Sequence, residues 1–333
     1  MTTTSASTKV TFINARTAPL KRDDNFVFRN LLHIGEVSVC YGDSNVGKSF
    51  FAIELGRRVC EGEAIGPHEC NPGSVIYAAT EAPASVINRA SLNELPAQGG
   101  QFLVSGASLD LTSQESVRAW IEAVRHEQDE LDTEFRLFVI DTLSLALHGA
   151  DENNASVMAN VIQNAKTIAE ELSVHTFIIH HEGKDTSRGG RGSSAIRGTV
   201  DTMLHLTRND DEEKVIVSCA KQRNRPKFKP FAFKISSVPM SDPGAQNGSL
   251  TMIPRVEFID LGEQVAVPPT KAGYAQRKSA MEGFYRALQL VGKSPEEVTD
   301  EDLAENLPEY LFAGCQEKTR IKRVQEIRRE LRK

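Results

Sequence analysis

A chain of 333 residues has room for one large domain plus a small one, or for two medium ones. Its 40% hydrophobic and 25% charged content is ordinary for a globular protein with a buried core, and no apolar run approaches the roughly 18 residues of a membrane helix. A net charge of −6 argues against a surface coated in cations for nucleic acid, but leaves room for a local basic loop or channel.

The opening residues, Met1 to Thr8, lack the basic and apolar regions of a signal peptide, so a cytoplasmic location with no membrane partner is expected. Residues 1–25 read as a loosely ordered lead-in rich in Thr and Ser. The five cysteines (Cys40, Cys60, Cys70, Cys219 and Cys315) are scattered and odd in number, which fits reduced thiols better than a disulfide framework. His68 and Cys70 have no C-x-x-C pair to complete a zinc site.

From about residue 26 to 262 the chain alternates strand-like apolar runs with amphipathic helical stretches, the pattern of an α/β fold on a parallel sheet. Strands are predicted at Glu36–Tyr41, Ser74–Ala78, Gln101–Val104, Arg136–Ile140, His175–His180, Thr202–Leu206 and Lys214–Cys219. Helices are predicted at Ser49–Cys60, Pro83–Leu92, Ser113–Glu130, Ala155–Leu172 and Ser193–Val200. Phe231–Ser236 and Leu250–Phe258 read as late hairpin strands that extend the sheet. A linker is expected at 263–270, followed by a helical region over 271–333. Its last helix, from Gln316, carries eight basic residues against three acidic ones, with Ile321, Val324, Ile327 and Leu331 on one face.

The strongest motif is Gly42-Asp43-Ser44-Asn45-Val46-Gly47-Lys48-Ser49, a complete G-x-x-x-x-G-K-[ST] phosphate loop. A strand precedes it and a helix beginning near Phe50 follows, so backbone N–H groups and the helix dipole would face the phosphates of a nucleotide triphosphate. Lys48 would reach the β and γ phosphates, and the Ser49 hydroxyl would ligate Mg²⁺.

Hydrolysis needs a carboxylate to organise Mg²⁺ and a group to activate water. Asp141 ends the apolar run Arg136–Ile140, at the edge of the sheet where ligands bind, and is the expected metal organiser. Glu81 follows the strand at Ser74–Ala78 on the same edge and is the candidate general base. His180 and His181 end a further strand, and one of them is placed to sense the γ phosphate. The stretch 184–198 is rich in glycine and locally basic, with Lys184, Arg188, Arg191 and Arg197 suited to gripping a sugar–phosphate backbone. Lys221 and Arg223, at i and i+2, could stabilise charge on the γ phosphate, in cis or from a neighbouring subunit.

Together these motifs resemble the RecA-like core of ring helicases, the RepA-like plasmid and phage ATPases related to the DnaB family, over about residues 26–225. The paired histidines and Arg191-Gly192-Ser193-Ser194-Ala195-Ile196-Arg197-Gly198 are its more specific carriers. The resemblance implies a homo-oligomeric ring, usually a hexamer, with ATP between subunits and single-stranded DNA in the central channel. It matches Glu81 to the catalytic glutamate, His181 to the γ-phosphate sensor, and Lys221 with Arg223 to a finger crossing the subunit interface. The implied activity is that of an ATP-hydrolysing helicase in plasmid or phage replication. The alternative is a RecA-like ATP-dependent switch in repair, defence or regulation that does not unwind processively. The fold expected is a RecA-like P-loop core, late hairpin strands and a small helical C-terminal region.

Overall fold

The computed structural model describes residues 25–91, 99–181, 196–208, 213–241, 250–259 and 298–307, with isolated positions at 14, 16, 287, 291, 320, 321, 324 and 325. In chain order the strands are β1 (Phe26–Phe28), β2 (Leu32–His33), β3 (Val37–Gly42), β4 (Ser74–Ala79), β5 (Phe102–Ser105), β6 (Phe135–Asp141), β7 (His175–His181), β8 (Thr202–Arg208), β9 (Lys214–Gln222), β10 (Phe231–Ser241) and β11 (Leu250–Ile259). The helices are α1 (Lys48–Glu61), α2 (Pro83–Ser91), α3 (Gln114–Leu131), α4 (Leu143–Ala146), α5 (Ala155–Glu171) and α6 (Asp300–Asn306).

Nine strands form one sheet in the order β11-β10-β9-β8-β3-β7-β6-β4-β5. From β8 to β5 every neighbouring pair is parallel, and β9, β10 and β11 extend the sheet antiparallel. The parallel strands are buried on both faces, which is why β4 reads Ser-Val-Ile-Tyr-Ala-Ala with no polar alternation. One apolar cluster covers the face holding α1, with Cys40, Phe51, Tyr77 and Phe177 fully buried. Another covers the opposite face, where α3, α4 and α5 contribute Trp120, Leu143, Met158 and Ile162.

Helix starts follow local chemistry. The Ser113 side chain accepts from the Ser116 N–H to cap α3, and Asn154 accepts from Ser156 and Val157 to cap α5. Within α1, the Phe51 ring stacks on Phe233 of β10, with centroids 5.5 Å apart and planes 9° from parallel. Phe231, Phe258 and Phe177 surround the same ring at 6.2 to 6.3 Å. The late hairpin therefore packs beneath the helix that follows the phosphate loop.

All seven earlier strands and the late hairpin lie within one or two residues of expectation at their starts, and several run further at their ends. The hairpin strands β1 and β2 and the single turn α4 have no counterpart among the expected elements. Of the helix expected at Ser193–Val200, a turn over 196–199 is described. In the C-terminal region α6 is capped by Thr299, whose hydroxyl accepts from the Asp302 N–H while the Asp302 carboxylate accepts from the Thr299 N–H. Val324 is buried there but Ile321 is 43% exposed, so the apolar stripe expected on the last helix is not uniformly covered; Ile327 and Leu331 lie outside the described residues.

Candidate active site

The chain leaves β3 into the phosphate loop through two glycines and an asparagine with positive φ: Gly42 at 156°, Asn45 at 63° and Gly47 at 103°. A Cβ on Gly42 would lie 2.3 Å from the Leu206 carbonyl oxygen on β8, so the loop needs glycine there for close approach. A Cβ on Gly47 would meet the Ile235 side chain of β10 at 3.0 Å. Val46 is buried and pins the loop, whereas Asp43, Ser44 and Asn45 are exposed. Gly47 caps α1 without a side-chain acceptor, and no acidic residue occupies the helix's first turn. The N–H groups at that end are thus left for an anion.

Lys48 is buried, and its Nζ donates to the carbonyl oxygens of Gly42 at 3.0 Å and Asp43 at 2.8 Å. These contacts hold the ammonium over the loop. Phe50, half-buried, carries the Arg89 guanidinium over its ring at 4.2 Å.

Three parallel strands end beside the loop. Register pairs Gly42 with His181, and Ala79 with Asp141, so β3, β7, β6 and β4 present their carboxyl ends together. Asp141 is 6% exposed. Its carboxylate accepts from the Tyr77 hydroxyl at 2.7 Å and is hydrogen-bonded to the Ser49 side chain. Burial raises the Asp141 carboxyl above its usual range, while Tyr77 and Ser49 hold it down and the Glu81 charge raises it further. The Asp141 carbonyl accepts from both the Thr80 N–H at 3.0 Å and the Thr80 hydroxyl at 2.9 Å. That pair fixes the turn from which Glu81 projects, exposed, at the end of β4.

His181 is exposed at the end of β7 and is lowered from the ordinary imidazole range, first by burial and then by the Lys48 charge, with Glu81 and Asp141 opposing. Lys48, Asp141, Glu81 and His181 therefore lie within electrostatic reach of one another. His180, one residue earlier, is pushed down to about 4 by burial and then by the charges of His181 and Lys48. Its Nδ1 is buried with no protein hydrogen-bond partner.

Lys221 and Arg223 are elsewhere. Antiparallel pairing sets Gln222 against Thr202 and Lys221 against Met203, and Thr202 lies beside Ser38 at the start of β3. Four residues of strand, about 13 Å, separate that register from Gly42. The in-cis possibility is corrected by this register: both cations stand at the sheet edge opposite their own phosphate loop. There Lys221 Nζ donates to the Arg197 carbonyl, and to that of Val200 at 2.7 Å. Arg223 Nη2 donates to the carbonyls of Gly198 at 2.7 Å and Thr199 at 3.2 Å. Arg197 is exposed, with Nη2 3.4 Å from the Ala220 carbonyl oxygen. Lys184, Arg188 and Arg191 lie outside the described residues.

The sequence reading did not single out Tyr77 or Thr80, the two residues that orient Asp141. Tyr77 reads as one more apolar strand position, and Thr80 as a turn residue. Among the described residues no cluster of three or more His, Cys, Asp or Glu side chains suits a metal held by protein alone, and no helix is long and apolar enough to cross a membrane. The donor set of Ser49 and Asp141 fits a cation that takes its remaining ligands from phosphates and water, as Mg²⁺ does.

The family model described as "AAA domain" matches residues 3–187, more than half of the chain. The matched stretch holds the phosphate loop, Glu81, Asp141 and His181, and stops before Lys221 and Arg223. Among solved structures, the ATPase domain of a DnaB-like phage helicase is similar at 13% identity, over 61% of this chain and 82% of that one, with a TM-score of 0.46.

Proposed function

Because the chain belongs to the AAA domain family and is a P-loop NTPase, we propose that it is an ATP-hydrolysing motor on single-stranded DNA. In this reading it works as a homo-hexameric ring and serves as a replicative DNA helicase of plasmid or phage type. The observation that carries the reading is the separation of Lys221 and Arg223 from the phosphate loop of the same chain, at the other edge of the sheet. Cations so placed serve a nucleotide only when a second copy brings its own loop to them.

Within the site each residue has a distinct task. The loop N–H groups and Lys48 bind and orient the β and γ phosphates. Ser49 and Asp141 would hold Mg²⁺, which when bound with ATP supplies charge neutralisation across the β and γ oxygens. Glu81 stands at the edge to take a proton from the attacking water. His181, held largely neutral at pH 7 by burial and Lys48, accepts or donates one hydrogen bond near the γ phosphate and begins the 182–195 stretch. Lys221 and Arg223 stabilise transition-state charge in trans. Lys184, Arg188, Arg191 and Arg197 contact the DNA backbone, which reconciles a local basic lining with a net charge of −6.

The test is a mixing experiment. Arg223→Ala protein titrated into wild-type protein should depress ATP turnover by more than the mutant fraction, because each altered subunit spoils a neighbour's site. A strictly proportional fall would reject the trans assignment. Stimulation of turnover by single-stranded DNA, with strand displacement, is expected of the motor; turnover indifferent to DNA would reject it.

A further inference from the structure

The turn that carries Arg223 is tied to the fold mainly through one buried carboxylate. Asp201 is 5% exposed and sits between the 196–199 turn and β8. Its Oδ2 accepts from the Val37 N–H at 3.1 Å, where β3 begins. Its Oδ1 faces Arg223 Nη1 at 3.7 Å. The backbone repeats both links, since the Asp201 N–H donates to the Val37 carbonyl at 3.0 Å and the Asp201 carbonyl accepts from the Arg223 N–H at 2.9 Å. Asp201 thus joins the first residue of the phosphate-loop strand to the turn holding the guanidinium.

The rest of that turn is fixed separately. Arg225 makes a two-pronged pair with Glu36, with Nη1 3.1 and 3.0 Å from its two carboxylate oxygens, and Asn224 Nδ2 donates to the same group at 3.2 Å. Removing the Asp201 charge would therefore leave the turn docked while freeing the direction of Arg223.

We infer that Asp201 is a positioning residue for Arg223, aiming the guanidinium that the partner copy's nucleotide requires. The inference rests on the trans role proposed above. Asp201 touches no nucleotide in its own chain, because it lies at the edge opposite Gly42. It acts through Arg223 alone, and its two carboxylate oxygens divide the work. One is spent on Val37; the other is aimed at the cation.

The test is a double-mutant comparison of steady-state ATP turnover at saturating DNA. Asp201→Asn retains an oxygen for the Val37 N–H but turns an amide nitrogen toward Arg223. It should lower kcat about tenfold with KM for ATP changed less than about twofold. In an Arg223→Ala background the same change should cost nothing further, since the two residues act as a unit. A multiplicative loss in both backgrounds, or wild-type kcat in Asp201→Asn alone, would overturn the inference. If Asp201→Asn melts early, Asp201→Glu keeps the charge and displaces it by one methylene, and must likewise lower kcat only where Arg223 is present. Wild-type turnover in Arg223→Ala would instead defeat the trans reading itself, and the inference with it.

Discussion

The Tyr77 hydroxyl donates to Asp141 Oδ2 at 2.7 Å from a side chain with no solvent exposure. Adjacent parallel strands put the phenol against the carboxylate, and Ser49 meets that same carboxylate from α1. The bond leaves Asp141 one orientation, facing the phosphate loop.

Tyr77→Phe keeps the ring and removes the donor. The Mg²⁺ concentration for half-maximal turnover should then rise about tenfold, the usual scale for losing a partner behind a metal ligand. A Mg²⁺ titration of ATPase activity checks it, and an unchanged midpoint would show that Tyr77 does not orient Asp141.

Glu81→Gln preserves shape and removes the base. Turnover should drop by about 10² or more with nucleotide binding retained. Binding measured with a fluorescent ATP analogue, beside steady-state rates, separates the two effects; near wild-type turnover would move the base to another residue.

Gly42→Ala should disturb the loop without altering any polar group. The new methyl would start 2.3 Å from the Leu206 carbonyl oxygen at a φ of 156°, so β3 and β8 must part. A stability loss of about 1–3 kcal/mol is expected, with weakened nucleotide affinity. Thermal melting with and without ATP reads both, and a wild-type melting curve would contradict the tight approach.

Acid stability should depend on His175, which burial pushes down to about 4. Its Nδ1 donates to the His33 carbonyl at 2.7 Å, so the neutral ring accepts at Nε2 from the Ser38 hydroxyl at 2.8 Å. An unfolded histidine titrates near 6.5, so as pH falls the unfolded chain binds the proton first. Stability is therefore complete above about pH 6.5 and is lost down to about pH 4, by an amount on the order of 3 kcal/mol for this ring. Melting temperatures across that window should fall less steeply in His175→Gln than in wild type; parallel curves would reject neutral burial.

Much of this was legible in the chain. The phosphate loop and the acids closing β4 and β6 announce themselves because ligand-edge residues interrupt otherwise apolar runs. Pro239 and Pro254 did not break the late hairpin, for a reason that only pairing reveals. β9 meets β10 over Phe231–Lys234 alone, and β11 is an edge strand, so neither proline removes a bond the sheet needs. What stayed hidden depends on direction and distance. Lys221 and Arg223 stand out as a basic pair, but their edge follows from β9 running antiparallel to β8. Asp201 reads as a strand-preceding acid until its two oxygens are traced. β1 and β2 are too short to show a period, and the Asn30 φ of 60° that folds them together leaves no pattern of its own.

The stack of Phe51 on Phe233 has a mechanical consequence. Close-packed interiors compress little and pass strain onward. Any shift of α1 toward a nucleotide is thus delivered to β10, whose pairing with β11 runs unbroken from Ala232↔Ile259 to Ser241↔Leu250. The hairpin is a stiff pointer, roughly 30 Å long at the rise of a β-strand, with its pivot beneath the phosphates and its tip at the sheet's outer margin.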